Sequence, residues 1–292
     1  IASEYLPKLR IFGANPFLFN NAGAYCAQEL GYGLAYGNQF LASGTEAGLT
    51  AKAIAKKIKF NFGVGSNYFM EIAKFRAARM LWSYIVDAYL TDEDCKCSAK
   101  MVINAYTSEW NQSVYDAYVN LLRSQTETMS ASLAGVDSIT VIPFDSSYKT
   151  PDDFSERIAR NQQLLLKEES NFDKVVDPSA GSYYIENLTA SIAEQAWKIF
   201  LSVEENGGFL NSILNGTIQN DINSTNEKRL AAISSRREVL LGTNQYPNFN
   251  EIASNKLSLQ QGEKNTHDEG IDILPPIRSA EEFEALRFAA EA

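Results

Sequence analysis

Short runs of β-branched and aromatic residues alternate with long stretches of helical period through most of this chain. Residues 57–62 read Lys-Ile-Lys-Phe-Asn-Phe, the polar–apolar alternation of a strand, closed by Gly63 and Gly65. Residues 67–89 follow with a helical pattern whose apolar side chains cover nearly the whole circumference, which predicts a helix packed on several sides. The same alternation predicts strands at 10–19, 100–107, 138–144 and 174–177. It predicts helices at 25–43, 114–134, 152–170 and 182–205, with Pro151 and Asp152 as start signals for the third. After Gly207 and Gly208 the pattern changes to amphipathic helices at 209–215 and 218–239. Residues 248–270 are polar and read as a mobile linker, and Pro275-Pro276 precedes a last helix at 280–290.

Strand–helix alternation of this kind implies a parallel sheet with helices packed on it. Strands this short, each followed by so long a helix, suit a (β/α) barrel or a doubly wound sheet. Gly63-x-Gly65 lacks the third glycine of a dinucleotide-binding turn, which favours the barrel.

Composition narrows the function classes. The chain has 292 residues, 45% of them hydrophobic, enough for one large domain with a substantial core. Its 36 acidic against 26 basic residues give a net charge of −10, which argues against nucleic acid or an anionic membrane surface as partner. No apolar run reaches the roughly 18 residues of a membrane span. No signal peptide is read at the start, and Ile1 as first residue suggests a longer parent chain. Three cysteines, Cys26, Cys95 and Cys97, fit a reducing cytoplasm. Cys95-x-Cys97 supplies two ligands and no more, so two loop thiols are expected there rather than a metal site. The single histidine, His267, falls in the linker.

The stretch Val102-Ile103-Asn104-Ala105-Tyr106-Thr107-Ser108-Glu109-Trp110 carries the most specific signal. It resembles the active-site strand of the methylmalonyl-CoA mutase family, His-x-Gln-Thr-Ser-Gly-Trp, through Thr107, Ser108 and Trp110. Asp116, Tyr118, Asn120 and Arg123 continue the likeness without a gap. Further family-like strings lie at 21–37, beginning Asn21-Ala22-Gly23-Ala24, at 70–82, at 154–161 and at 176–184 with Asp177-Pro178-x-x-Gly181-Ser182. Others are Leu241-Gly242-Thr243-Asn244-Gln245-Tyr246 and Pro275-Pro276-Ile277-Arg278. The resemblance covers about residues 10–290. It implies a (β/α)8 TIM-type barrel that lacks its first strands, followed by a C-terminal helical segment and a linker. On that reading residues 1–206 form the partial barrel, 207–247 its C-terminal helices, and 248–292 the linker and terminal helix.

What the resemblance implies for function turns on substitutions. Asn104 stands where the catalytic chains of the family have histidine, and Leu18 where they have another. An imidazole donates a hydrogen bond or a proton near neutral pH, whereas an asparagine amide donates but does not titrate. Tyr106 replaces glutamine two residues from Asn104, on the same strand face by period-two geometry, and is expected to fill the barrel mouth. The family's cobalamin-ligating Asp-x-His-x-x-Gly motif is missing. The resemblance therefore implies a non-catalytic small (beta) subunit in the cytoplasm, supporting a catalytic large (alpha) subunit that binds adenosylcobalamin. No catalytic residue, cofactor or metal ligand is expected on this chain. Asn104, Tyr106 and Ser108 remain as vestigial substrate-binding candidates. The alternative is an active acyl-CoA mutase of different specificity, with cobalamin on a separate chain. An unrelated scaffold or sugar-binding barrel would require the ordered likeness to be accidental. Lys74, Arg76 and Arg79 in the 67–89 helix need partners: CoA phosphates on a functional reading, structural carboxylates on the preferred one. The same helix is expected to leave an apolar patch for a partner subunit.

Overall fold

The computed structural model describes residues 5–6, 8–91, 96–253, 256, 267–268 and 270–291. Its centre is a parallel sheet of four strands in sequential order: β1 (Phe12–Ala14), β2 (Ile58–Val64), β3 (Ile103–Thr107) and β4 (Ser138–Thr140). Helices α1 (Phe17–Asn21), α2 (Cys26–Glu46) and α3 (Ala51–Ala55) connect β1 to β2. Helix α4 (Tyr68–Asp87) connects β2 to β3, and α5 (Val119–Leu133) connects β3 to β4. After β4 come α6 (Asp153–Glu168), α7 (Tyr183–Glu205), α8 (Gly208–Leu214) and α9 (Thr217–Ser234). A two-residue ribbon, β5 (His267–Asp268) against β6 (Ile271–Asp272), and helix α10 (Glu281–Glu291) complete the described chain. Consecutive parallel strands joined by helices on one face match the α/β architecture expected, as an open four-stranded sheet rather than a closed barrel.

The two faces of the sheet differ in chemistry, and that difference positions everything else. Phe60, Phe62, Ile103, Ala105 and Ala14 face the helices and are fully buried. Phe60 meets Trp82 of α4 edge-on at 4.7 Å between ring centroids, and Phe62 meets Phe75 at 6.1 Å. Helix α7 lies over α2 and α4 as an outer layer, so α4 is enclosed between the sheet and another helix. That is why its apolar residues run all round. The patch expected on α4 for a partner is therefore internal; its apolar residues pack within this chain, with Phe69, Met80 and Tyr84 the exposed ones. On the opposite face, Asn61, Asn104 and Ser138 stand in register across β2, β3 and β4.

Several elements are shorter than their sequence patterns. β1 ends at Ala14 because Pro16, with φ −62°, opens α1. β4 ends at Thr140, after which the Ile142 amide donates to Thr107 Oγ1 at 2.9 Å instead of a neighbouring strand. Residues 174–177 form no strand. Asn171 takes a left-handed φ of 54°, a 3-10 turn covers Phe172–Lys174, and Asp177 is again left-handed at φ 47°. Val175 and Val176, β-branched as a strand would be, stand 60% and 95% exposed with no neighbouring strand. α5 starts at Val119 rather than 114, because Asp116 adopts φ 51° and interrupts the helix. α6 starts where its signals predict: Asp152 accepts from the Phe154 and Ser155 amides at 3.1 and 3.0 Å. The linker reading of 248–270 falls largely outside the described residues, as does Cys95. Among the described residues no helix is long and apolar enough to cross a membrane.

Trp82 is the largest fully buried side chain and wedges α4 against β2. Trp82→Ala is expected to destabilise the fold by about 3–5 kcal/mol, from lost burial plus the cavity left behind. A shift of the urea midpoint at unchanged slope would check this.

Candidate functional site

At the C-terminal end of β2 a lysine is locked between two carboxylates. Lys74 Nζ, fully buried, lies 2.7 Å from Glu29 Oε2 and 2.5 Å from Glu71 Oε2, and donates to the Gly63 carbonyl at 2.7 Å. Glu29 accepts from the Gly63 amide at 2.5 Å and from Asn20 Nδ2 at 3.1 Å. Glu71 accepts from the Gly65 amide at 3.0 Å and from the Cys26 thiol at 3.4 Å. Gly63 is glycine because a Cβ there would stand 2.5 Å from Cγ of Asn20. Glu71 and Lys74 are three apart on one helix and so face the same way. Glu29 arrives from α2.

Two carboxylates around one ammonium leave a surplus negative charge in a dry site. Burial, opposed by Lys74 and reinforced by Glu71, raises the Glu29 carboxyl to about 7. Burial disfavours the Lys74 ammonium, but Glu29 and Glu71 outweigh it and hold its pKa above the ordinary lysine value. Burial and the Glu71 charge push the Cys26 thiol well up, which keeps it a protonated donor rather than a nucleophile. Arg76 and Arg79 are likewise occupied within the chain. Arg76 pairs with Glu186 at 2.8 Å and Asp177 at 3.3 Å. Arg79 donates to the Met101 and Gly135 carbonyls and pairs with Asp137 at 3.2 Å. These contacts favour the structural reading of the helix's basic residues.

A cleft of about 120 Å³ lies beside this cluster, between the ends of β2 and β3. Glu71, Cys26 and Met70 form one wall, and Ser108, Trp110 and Asn111 the other. Ser108 Oγ donates to Asn20 Oδ1 at 2.8 Å and accepts from the Trp110 amide at 3.2 Å. The Arg229 guanidinium stacks over Trp110, 3.4 Å from the ring centroid, while Trp110 Nε1 donates to Asn226 at 3.1 Å. Asn111 Nδ2 donates to Glu127 at 2.7 Å, and burial keeps the Glu127 carboxyl well above its usual range. Asn111 Oδ1 and Arg229 Nε have no hydrogen-bond partner among the described residues. The cleft thus combines a stacked Arg229–Trp110 pair with polar groups that include the Glu71 and Glu238 carboxylates and the Tyr25 phenol. Among the described residues no three His, Cys, Asp or Glu stand close enough to hold a metal ion.

The three strand residues singled out in the sequence do not share one site. Asn104 is buried at 3% exposure, accepts from Ser138 Oγ at 2.5 Å and donates to Thr140 Oγ1 at 3.5 Å. Tyr106 stacks on Phe17 at 4.8 Å, on the same side of the sheet as Asn104. Ser108 lies past the strand end, its amide donating to the Val64 carbonyl, and lines the cleft, whereas Asn104 and Tyr106 do not. Leu18, on α1, is half exposed. Asp177 pairs with Arg76, and Gly181 takes a positive φ of 81°.

The family's sequence profile, Methylmalonyl-CoA mutase, matches residues 1–288. The chain belongs to the methylmalonyl-CoA mutase family. It is 57% identical to the methylmalonyl-CoA mutase small subunit of Porphyromonas gingivalis, over 99% of this chain and 47% of that protein. It is 38% identical to the methylmalonyl-CoA mutase of Rhizobium meliloti over 85% of this chain and 35% of that one. With the mitochondrial methylmalonyl-CoA mutase of Homo sapiens it shares 33% identity over 95% of this chain and 37% of that one. The chain thus spans less than half the length of these relatives.

Within this mutase-family chain, sequence reasoning missed Glu29, Glu71, Asn111 and Arg229. One signal was available: charged residues inside the apolar runs of α2 and α4 require buried partners of opposite sign. Two measurable consequences follow from the cluster. Lys74→Met strips both carboxylates of their counter-charge and is expected to destabilise by about 3–5 kcal/mol in chemical denaturation. Glu29 holds its proton more tightly folded than unfolded, so its contribution is full below 4.5 and is lost as pH rises to about 7. Stability should therefore decline through that window, and the decline should flatten in Glu29→Gln when denaturation midpoints are compared from about pH 4 to about pH 8.

Proposed function

We propose that this chain belongs to a non-catalytic small subunit that supports a large catalytic subunit of an adenosylcobalamin-dependent methylmalonyl-CoA mutase in the cytoplasm. The complex would interconvert methylmalonyl-CoA and succinyl-CoA. The observation that carries the reading is the likeness itself: 57% identity to a protein named a small subunit. Relatives named simply as mutases share 33–38% in the comparisons given above. The strand chemistry supports it. At Asn104 a non-titrating amide is tied to Ser138 and Thr140, where the catalytic chains of the family carry an imidazole. Tyr106, stacked on Phe17, occupies volume beside it, so no acyl-CoA is expected to reach Asn104.

Adenosylcobalamin is assigned to the partner. The donor set here does not suit it: the chain has one histidine, His267, and the cleft of about 120 Å³ does not fit a corrin. Association is the role that remains. Val176 and Tyr183, 95% and 90% exposed, are apolar surface of the kind a permanent partner covers, typically over ~2,000 Å² in all.

A second reading, an active acyl-CoA mutase of other specificity, draws on the cleft and the free Asn111 Oδ1 in its wall. Two experiments separate them. The purified chain with adenosylcobalamin is expected to show no conversion of methylmalonyl-CoA, and Asn104→His should create none; turnover by either would favour the second reading. Co-expressed with a catalytic mutase subunit, the chain should elute with it in size-exclusion chromatography, and separate elution would sink the association role.

A further inference from the structure

The two walls of the cleft are held by different means. The Glu71–Cys26 wall belongs to the buried ionic cluster and to the ends of β2 and α4. The Trp110–Asn111 wall belongs to the loop between β3 and α5, whose amides find partners far away in sequence. The Val114 amide donates to Glu284 Oε1 of α10 at 2.6 Å, and the Asp116 amide to Glu251 at 2.6 Å. The Ser279 amide donates to the Trp110 carbonyl at 2.7 Å. Arg278 pairs with Glu284 at 2.8 Å, and the Arg287 guanidinium stacks 3.8 Å from the Tyr115 ring centroid. One residue before this run, the Ile277 amide donates to the Asn21 carbonyl at 2.9 Å. Asn21 adjoins Asn20, which lines the cleft from the other side.

The C-terminal segment therefore adds a second set of ties between two loops that already meet through Ser108 Oγ, donating to Asn20 Oδ1 at 2.8 Å, and the Glu109 amide, donating to Asn21 Oδ1 at 3.2 Å. Its anchors are side-chain carboxylates and single backbone bonds, not a strand ladder or a continuous apolar core. Elements held in this way open at lower free energy than the sheet they cover. We propose that residues 277–291 act as a clasp whose docking holds the cleft closed, and whose release loosens the loop at 109–116 and opens the cleft toward Cys26.

The test uses the whole chain and two readouts: hydrogen exchange by mass spectrometry, and the rate of iodoacetamide alkylation mapped to Cys26. Cys26 is 7% exposed and lines the cleft, so its alkylation reports opening. Glu284→Ala removes the acceptor of the Val114 amide and the partner of Arg278. It is expected to raise exchange across 109–116 and alkylation of Cys26 at least about tenfold, leaving the β2 amides protected. Leu286→Ala, on the same helix but 72% exposed, should change neither. The proposal is overturned if Glu284→Ala frees the 281–291 amides while the loop and Cys26 keep wild-type rates, or if wild-type Cys26 already reacts as a free thiol. Should Glu284→Ala not fold, wild-type exchange in low denaturant decides. The Val114 and Ser279 amides must then open together, below the global transition; opening only with global unfolding refutes the clasp.

Discussion

The end of the sheet rests on one buried ammonium. Lys74 neutralises Glu29 and Glu71 and caps the Gly63 carbonyl, while the two carboxylates accept the Gly63 and Gly65 amides. The Gly63 amide and carbonyl and the Gly65 amide at the finish of β2 are thereby each answered by a buried side chain. Three elements, α2, β2 and α4, are pinned to one another at a single point. A buried ion pair of this kind adds little net stability compared with apolar packing, but it tolerates only one geometry. An extended apolar core, with Trp82 and Phe75 against Phe60 and Phe62, supplies the bulk of the free energy.

From that pinned end the cleft inherits its asymmetry. Glu71 and Cys26 are immobilised by charge and burial, so neither is free for acid–base or nucleophilic work. The facing wall is shaped by a loop that the C-terminal segment holds. The opposite end of β3, where Asn104 bonds Ser138, is a polar surface with no titratable group in its hydrogen bonds.

Hydrophobic periodicity alone was enough to read the main strands and long helices in order as far as β4, because burial on one sheet face and one helix stripe leaves a direct imprint on residue spacing, but α1 began inside the strand read at 10–19 and the short α3 went unread. The stretch at 102–110 and the strings around it carried the family, because several long motifs in the right order are specific. The need for partners at Lys74, Arg76 and Arg79 was legible from the cost of buried charge; which partners was not. Element ends were lost where backbone conformation overrode composition. Asp116, Asn171 and Asp177 take positive φ, and two valines at 175–176 stay exposed despite their β propensity.

Only the tertiary structure could bring Glu29 to Lys74 across 45 positions, or Glu284 to Val114 across 170. Such contacts depend on how helices lie over the sheet, which residue spacing does not encode. The same holds for the parting of Ser108 from Asn104 and Tyr106. Alternation predicts one shared face, but it applies only while the strand lasts, and the chain leaves the strand at Thr107. What the sequence determined by itself was the kind of element and the kin of the chain, both written in local pattern. What the fold decided was the site, because a site is made of residues that only packing brings together.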